Sequence, residues 1–440
     1  MQLRITILLL STFYFGTSTL KAQSLYYPPL TGSVWDSLSA TQLGWCTGAP
    51  IDSLYSFLNL RNTKAFLVLK DGKIVLEKYF GNHTVDSNWY WASAGKTLTA
   101  FAVGVAQEKG LLNIQDKTSQ YLSTGWTICT PQQEDSITIW HQLTMTTGLD
   151  DNVPDDNCTV DTCLIYKATA GNRWAYHNAP YRLLHDVVDS SSPSTWNGFL
   201  TQEIKSKCGM NGTFFNGVYY STARSMARFG LVLLGKGKWG ATSILGDTVF
   251  LNNMVNTSQN KNLGYGYLTW LNGKSSYMLP QSQLVVNGPL VPNAPADMYA
   301  AIGKDGQIIN VVPSKNLVVI RMGNNPNDGA LVTTVFNNDL WSYLNAVICT
   351  PSDVNTVQAE QPRLEIYPNP STDLTRIRVP NSNEKDRKLI VTNMQGQLVY
   401  QVAIGSNAQI TFLNTSGWGK GLYVIRLTDQ PRHPVKLLVH

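Results

Sequence analysis

Read from its first residue, the chain opens on an apolar run from Ile5 to Phe15 behind Arg4. Small and polar residues follow, ending in Leu20-Lys21-Ala22-Gln23. The run is too short to cross a bilayer and predicts an export signal over residues 1–22, cut near Ala22. No other stretch reaches the ~18 consecutive apolar residues of a transmembrane helix, so no transmembrane segment is expected. Residues 24–60 predict a lead-in with one amphipathic helix near Pro50–Leu60. Two β-rich runs then flank Asp71-Gly72 between Ala65 and Phe80. That dipeptide tolerates positive φ and suits a tight hairpin turn. A matching pattern comes much later, with Gln307–Val312 and Leu317–Met322 on either side of Pro313-Ser-Lys-Asn316. Helical periodicity and loops dominate residues 90–300 between them. Strands at both ends with helices between predict an α+β domain whose sheet is assembled from distant parts of the chain.

After Cys349 the pattern breaks. Thr350–Pro362 is polar and aperiodic, holds two prolines, and reads as a linker over residues 350–362. Beyond it seven short β-like runs recur between turn residues: Leu364–Tyr367, Thr375–Val379, Lys388–Asn393, Leu398–Ala403, Gln409–Leu413, Leu422–Leu427 and Val435–Val439. They predict a small β-sandwich over residues 363–440. The larger domain accordingly runs from 23 to 349, and no internal repeat is found.

The formal charge of +5 hints at an acidic partner until its location is read. Arg4 and Lys21 place +2 in the leader, and residues 363–440 hold ten Lys/Arg against five Asp/Glu, another +5. Residues 23–362 are left with −2, so no basic stripe remains for nucleic acid. An exported chain makes the six cysteines (46, 129, 158, 163, 208 and 349) disulfide candidates. Six cysteines allow about 15 connectivities, and only Cys158 and Cys163 are close enough to suggest a local loop. Zinc is the alternative, but the usual Cys-x2-Cys or His-x3-His spacing is missing.

The chemistry starts at Ser93-Ala94-Gly95-Lys96. Leu98, Phe101, Ala102, Val105 and Ala106 follow at helical spacing and Gly110 closes the segment, which predicts a buried helix with Ser93 in its first turn. Ser93 and Lys96 then share a face. Desolvation favours a neutral lysine that can take the hydroxyl proton, and the helix N-terminus offers N–H groups to an incoming carbonyl. Ser-x-x-Lys also begins at Ser18, Ser258 and Ser382, yet only the Ser93 match opens an apolar helix. The second piece is Tyr176-His177-Asn178, in which residues two apart on an extended or looped segment point the same way. The phenol can relay a proton to a leaving group, and the amide can bind substrate or orient Lys96. Tyr-x-Asn recurs at Tyr343 and Tyr367, so a structural tyrosine with a capping asparagine is the plain alternative. No Gly-x-Ser-x-Gly elbow or His-Glu-x-x-His motif exists. His141 reads as a packed structural histidine, and His177 has no assigned role. Asp150, Asp151, Asp155 and Asp156 read as a solvated loop, with a calcium site as the minor alternative. The aromatic residues at 265–270 suit a core or a substrate shelf.

Together and in this order, the two motifs resemble the serine β-lactamase and penicillin-binding-protein superfamily. The nearer likeness is to its class C-like group of esterases, D-amino-acid peptidases and amide-oligomer hydrolases. Trp91-Ala-Ser-Ala-Gly-Lys-Thr-Leu-Thr99, Ile137-Thr-Ile-Trp-His-Gln-Leu-Thr-Met-Thr-Thr-Gly-Leu-Asp150, Ser221-Thr-Ala-Arg-Ser-Met-Ala-Arg-Phe-Gly230 and Tyr265-Gly-Tyr-Leu-Thr-Trp270 carry the resemblance over residues 60–345. It implies an antiparallel sheet with flanking helices plus a helical subdomain. Such families place Lys-Thr-Gly or His-Thr-Gly on the strand lining the site. Aligned on Gly306-Gln307, that triad falls here on Ala300-Ala301-Ile302, with Lys304 several residues out of register. Main-chain N–H groups near Gly303 can still complete an oxyanion hole, whereas the cation for a substrate carboxylate is expected to be missing. Esterase or amidase activity gains on β-lactamase or D-Ala-D-Ala carboxypeptidase activity by that reasoning.

The tail resembles the C-terminal sorting domain of type IX secretion in Gram-negative bacteria. Ile366-Tyr-Pro-Asn-Pro-Ser371, Gly421-Leu-Tyr-Val-Ile-Arg426 and Val435-Lys-Leu-Leu-Val439 carry this likeness, which implies docking to the secretion machinery and delivery outside the cell or to its surface. A carbohydrate-binding or adhesion sandwich is the alternative. The expectation is an exported serine hydrolase acting on a small-molecule or short-peptide ester or amide, without metal or organic cofactor. Its nucleophile is Ser93, with Lys96 and Tyr176 moving the proton and Asn178, Gly303 and Gln307 contacting substrate. A silent binding or sensor module and a surface adhesion protein are the rival classes.

Overall fold

Asp71 and Gly72 both take positive φ (51° and 84°), which closes strands β1 (Thr63–Lys70) and β2 (Lys73–Tyr79) into the expected hairpin. The structure, a computed structural model, describes residues 25–327, 332–349, 364–379, 387–405, 409–429 and 434–439. The expected export signal and linker lie outside these residues. Strands β3 (Trp270–Leu271), β4 (Tyr299–Gly303), β5 (Gln307–Val312) and β6 (Leu317–Gly323) complete a six-stranded antiparallel sheet in the order β2-β1-β6-β5-β4-β3. The sheet therefore joins two ends of the domain, as the separated hairpins predict.

Helices cover both faces. The helix α1 (Ala49–Leu60) packs with α5 (Thr334–Ile348), where Phe57 stacks on Phe336 at 5.6 Å. The helix α4 (Ala223–Leu234) crosses β1, β5 and β6. Alternation along β6 separates these layers: Val318 and Ile320 meet α4 at Gly230, whereas Arg321 sits over the Phe336 ring of α5. Every residue of β5 and β6 is buried, as a sheet covered on both sides requires. Between the sheet halves lie α2 (Gly95–Glu108), buried all round from Gly95 to Ala106, and the amphipathic α3 (Asn178–Ser191).

Two disulfides form. Cys46–Cys349 ties the lead-in to the end of α5 across 303 residues, and Cys158–Cys163 closes a local loop. Cys129 and Cys208 remain free thiols, so the cysteine set is only partly used for bridging.

The chain divides into two compact units between Thr350 and Pro351. The second is a small β-sandwich with its own core. Its strands are β7 (Glu365–Tyr367), β8 (Leu374–Val379), β9 (Arg387–Asn393), β10 (Leu398–Ile404), β11 (Gln409–Asn414), β12 (Gly421–Leu427) and β13 (Val435–Val439). One sheet runs β7-β8-β11 and the other β10-β9-β12-β13, all antiparallel. Ile377, Val379, Leu389, Val391, Ile425 and Leu437 alternate inward to fill the space between them.

Candidate active site

The approach to Ser93 is held rigidly. Trp91 donates its main-chain N–H to the Tyr219 carbonyl (2.8 Å) and its indole N–H to Ser221 Oγ (2.8 Å). Ala92 then takes φ 46°, a left-handed conformation that costs a non-glycine residue about 1–3 kcal/mol. Ser93 follows in a single 3-10 turn, Ala92–Ala94, that runs directly into α2. It thus stands one step ahead of the α-helical turn the periodicity suggests, on a strained elbow.

Lys96, 2% exposed, lies one turn on. Its ammonium form donates to Ser93 Oγ (2.9 Å) and to Asn178 Oδ1 (2.7 Å), and its Nζ lies 3.9 Å from the centre of the Tyr181 ring. Burial pulls its pKa down to about 7; the Asp156 carboxylate opposes that pull and Arg182 adds to it. Near neutral pH a large fraction is free amine, able to accept the Ser93 proton.

Tyr176 is buried, stacked on Trp270 at 5.8 Å and edge-on to Tyr265 at 6.1 Å. Burial holds its phenol well above the ordinary range, against a smaller downward pull from the Ser93 side chain. Of the two groups beside Ser93, the lysine can be a base near neutral pH and the tyrosine stays a proton donor. Tyr265 and Trp270 are themselves buried, so they form the core that sets the Tyr176 ring.

Asn178 is the first residue of α3, with His177 as its N-cap. The pair Tyr176 and Asn178 therefore converges across the start of a helix rather than along an extended segment. The Asn178 amide donates to Asp156 Oδ2 (2.8 Å) while its oxygen faces Lys96. His177 is buried at 2% exposure, its ring nitrogens find no partner among the described residues, and burial pulls its pKa down. His141 is structural: its Nδ1 accepts the Thr138 N–H (3.1 Å) in a capping box.

The end of β4 closes the site from the other side. A Cβ on Gly303 would stand 2.4 Å from the Trp91 carbonyl oxygen and 3.0 Å from the Ser93 nitrogen, so only glycine lets this strand lie against the serine elbow. Its turn is braced by Arg321, which donates to the carbonyls of Asp305 and Gly306. Above the elbow opens a cavity of about 450 Å³ lined by Ser93, Tyr176, Asn178, Gly303, Asp156 and Lys304, with Pro280, Ile302 and Val332 among its apolar walls.

Five of the six expected site residues thus meet, and one does not. Gln307 is fully buried; its amide donates to the Gly323 carbonyl (2.6 Å) and accepts from the Gly323 N–H (3.1 Å). Its side chain cross-braces β5 and β6 and does not line the cavity. Two further expectations are corrected. Lys304 is exposed and lines the cavity, so a cation is present where register counting left none. The reason is the 3-10 turn Lys304–Gly306 with Asp305 at φ 62°, which breaks strand register. The aspartates 150–156 are not uniformly solvated either. Asp150 pairs with Lys167 (3.2 Å), Asp151 with Arg173 (2.6 Å), and Asp156 bonds Asn178. Among the described residues no cluster of three His, Cys, Asp or Glu is arranged to hold a metal ion. Tyr181 was missed, although its spacing of three from Asn178 on α3 puts both on one face.

The chain belongs to the beta-lactamase family, a family of hydrolases, whose model matches residues 61–334. Residues 365–439 match the secretion system C-terminal sorting domain, which marks the protein for type IX secretion to the cell surface or beyond. An uncharacterised protein of Alkalihalophilus pseudofirmus is 24% identical over 302 residues, covering 58% of this chain and 82% of that one. A class C beta lactamase from Rhodobacter sphaeroides shares the fold with a TM-score of 0.52 at 16% identity, over 68% of this chain and 99% of that structure. EstCE1, described as a hydrolase with promiscuous acyltransferase activity, shares it with a TM-score of 0.54 at 12% identity, over 69% and 99%. Among the described residues no helix is long and apolar enough to cross a membrane.

Proposed function

We propose that the protein is an exported serine hydrolase that cleaves an ester or amide through an acyl-Ser93 intermediate. In this reading Lys96, as free amine, takes the Ser93 proton while Oγ bonds the substrate carbonyl carbon. The developing oxyanion is met by main-chain N–H groups at Ser93 and Gly303. As the bond to the leaving oxygen or nitrogen breaks, Tyr176 passes a proton to it. Lys96 passes on to Tyr176 the proton it took; water then attacks the acyl carbon, and its proton passes through the Lys96–Tyr176 pair to Ser93 Oγ as the Oγ–carbon bond breaks. Asn178 positions Lys96 and the substrate. Residues 23–349 form the catalytic domain, with residues 1–22 as export signal and 350–362 as linker to the sorting domain 363–440.

The observation that carries the reading is Lys96 Nζ 2.9 Å from Ser93 Oγ with its pKa drawn to about 7. Two measurements test it. A fluorophosphonate probe should label the protein, and Ser93→Ala should abolish the label; an unlabelled, folded wild type would end the enzyme reading. Since the base must be neutral, kcat/KM should rise with pH and reach half its plateau near pH 7. A profile flat from pH 5 to 9 would exclude Lys96 as the base.

Lys304 in the cavity favours a second reading, a substrate carrying a carboxylate, as in β-lactam or D-Ala-D-Ala chemistry. Turnover of a chromogenic cephalosporin, compared with short acyl esters and linear amides, separates the two.

A further inference from the structure

We infer that Asp156 is a positioning residue of this site, fixing the Asn178 amide with its oxygen toward Lys96 and placing a balancing negative charge one side chain behind the base. The inference rests on the acyl-serine reading above. An asparagine amide can face either way, and what decides is the partner beyond it. A carboxylate accepts only, so Asp156 Oδ2, 2.8 Å away, selects the Nδ2 end and leaves Oδ1 for Lys96 at 2.7 Å. The choice matters chemically. A neutral lysine has one lone pair and two N–H bonds, and catalysis needs the lone pair on the Ser93 hydroxyl. An amide turned the other way would offer N–H to that lone pair and compete with the serine. With Oδ1 inward, Asn178 absorbs one lysine N–H, and the Tyr181 face 3.9 Å from Nζ suits the other.

Asp156 is itself held in place. Its main-chain oxygen accepts the Ala179 N–H (2.7 Å), its Oδ1 accepts from Asn157 Nδ2 (2.9 Å), and the Cys158–Cys163 disulfide closes the loop just after it. Lys96 Nζ is faced by Asn178 and by the rings of Tyr176 and Tyr181, with Asp156, Arg182 and His185 within electrostatic reach. Burial keeps the two phenols protonated and His185, pushed down to about 3, neutral. The charges acting on Lys96 are then Asp156, which raises its pKa, and Arg182, which lowers it.

The test is kcat/KM against pH for wild type, Asp156→Asn and Asp156→Ala, with labelling by the fluorophosphonate probe as control. Loss of the carboxylate should move the acid limb to lower pH by about one unit in both variants. The plateau should fall about tenfold or more in Asp156→Ala, and less in Asp156→Asn, whose carbonyl can still accept from Asn178. A purely structural role for the 150–163 loop would lower the plateau and leave the limb in place. A swap guards against misfolding. Asp156→Asn with Asn178→Asp restores an amide-to-carboxylate bond and should recover about tenfold over Asn178→Asp alone, where two carboxylates oppose each other. An acid limb that stays put in both single variants, or a swap no better than Asn178→Asp, overturns the inference while Ser93-dependent labelling persists. Loss of labelling in the wild type instead removes the hydrolase reading beneath it.

Discussion

Among the buried cations of the catalytic unit, Lys96 at 2% exposure and Arg321 at 0% have opposite surroundings. Arg321 spreads its guanidinium over the carbonyls of Asp305, Gly306, Arg61 and Asn324 and the hydroxyl of Thr63, with Phe336 beneath. Lys96 has an amide oxygen, a serine hydroxyl and ring faces. A buried charge must be satisfied by neighbours or be given up. Arg321 is given acceptors that match its fork, and it serves as a brace for the turn that carries Gly303 and Lys304. Lys96 is under-supplied, so its proton is held loosely, and that looseness is what a base needs. Under the proposed reading, fuller hydrogen bonding suits Arg321 to bracing and sparser hydrogen bonding suits Lys96 to proton transfer.

The sharpest way to break this contrast is Lys96→Met. Activity should fall by about 10³-fold or more, and Lys96→Arg should be equally inactive because a guanidinium cannot release its proton. Stability should move the other way. The folded pKa of about 7 lies below the ordinary lysine value of 10.5, so the unfolded chain holds more protons between those limits. Wild-type stability therefore rises with pH from about 7 toward 10.5, and the full penalty, of the order of 5 kcal/mol, applies below 7. Lys96→Met should melt above the wild type at pH 6, with the gain shrinking by pH 9. A lower melting temperature at pH 6 would mean the lysine is well satisfied after all.

Arg321→Met probes the other half. Removing the fork leaves several buried carbonyls without a donor, for an expected loss of about 3 kcal/mol or more by urea unfolding. Activity should fall less than stability suggests, because the variant loosens the Lys304–Gly306 turn without touching the reacting atoms. Arg321→Lys should recover only part, since an ammonium does not match the fork. If Arg321→Met unfolded at the wild-type urea midpoint, the brace would be dispensable.

What could be read in advance follows from how local each feature is. The β1–β2 hairpin was legible because Asp71-Gly72 and the flanking β-rich runs lie within one window, and all seven tail strands for the same reason. Ser93 with Lys96 was legible because three residues on a helix fix their neighbourhood. Asp156 was not, since its partner lies 22 residues away across a disulfide-closed loop, where an acidic cluster looks solvated. Lys304 was misjudged because counting along a regular strand cannot foresee Asp305 at φ 62°. Gln307 failed for a related reason: it stands next to the site in sequence, but its side chain points into the sheet to pair with Gly323. Motif spacing finds residues near the chemistry, and turn geometry decides which of them face it.

The smallest effect is expected from removing residues 363–440, and it limits where the contrast between the two cations is set. The groups named for Lys96 lie between Ser93 and His185, and those named for Arg321 lie between Arg61 and Phe336. The sandwich fills its core from its own strands. Ending the chain at Pro362 keeps the Cys46–Cys349 disulfide and every one of those partners. The acid limb of kcat/KM should therefore stay within about 0.2 pH unit of the full-length value, and the urea midpoint of the catalytic unit should be unchanged. Delivery to the cell surface, followed by labelling intact cells with the fluorophosphonate probe, should be lost. A truncated protein that is still delivered would refute the sorting role. A shifted acid limb would show that the tail contributes to the electrostatics of Lys96, and the contrast with Arg321 would no longer be a property of the catalytic unit alone.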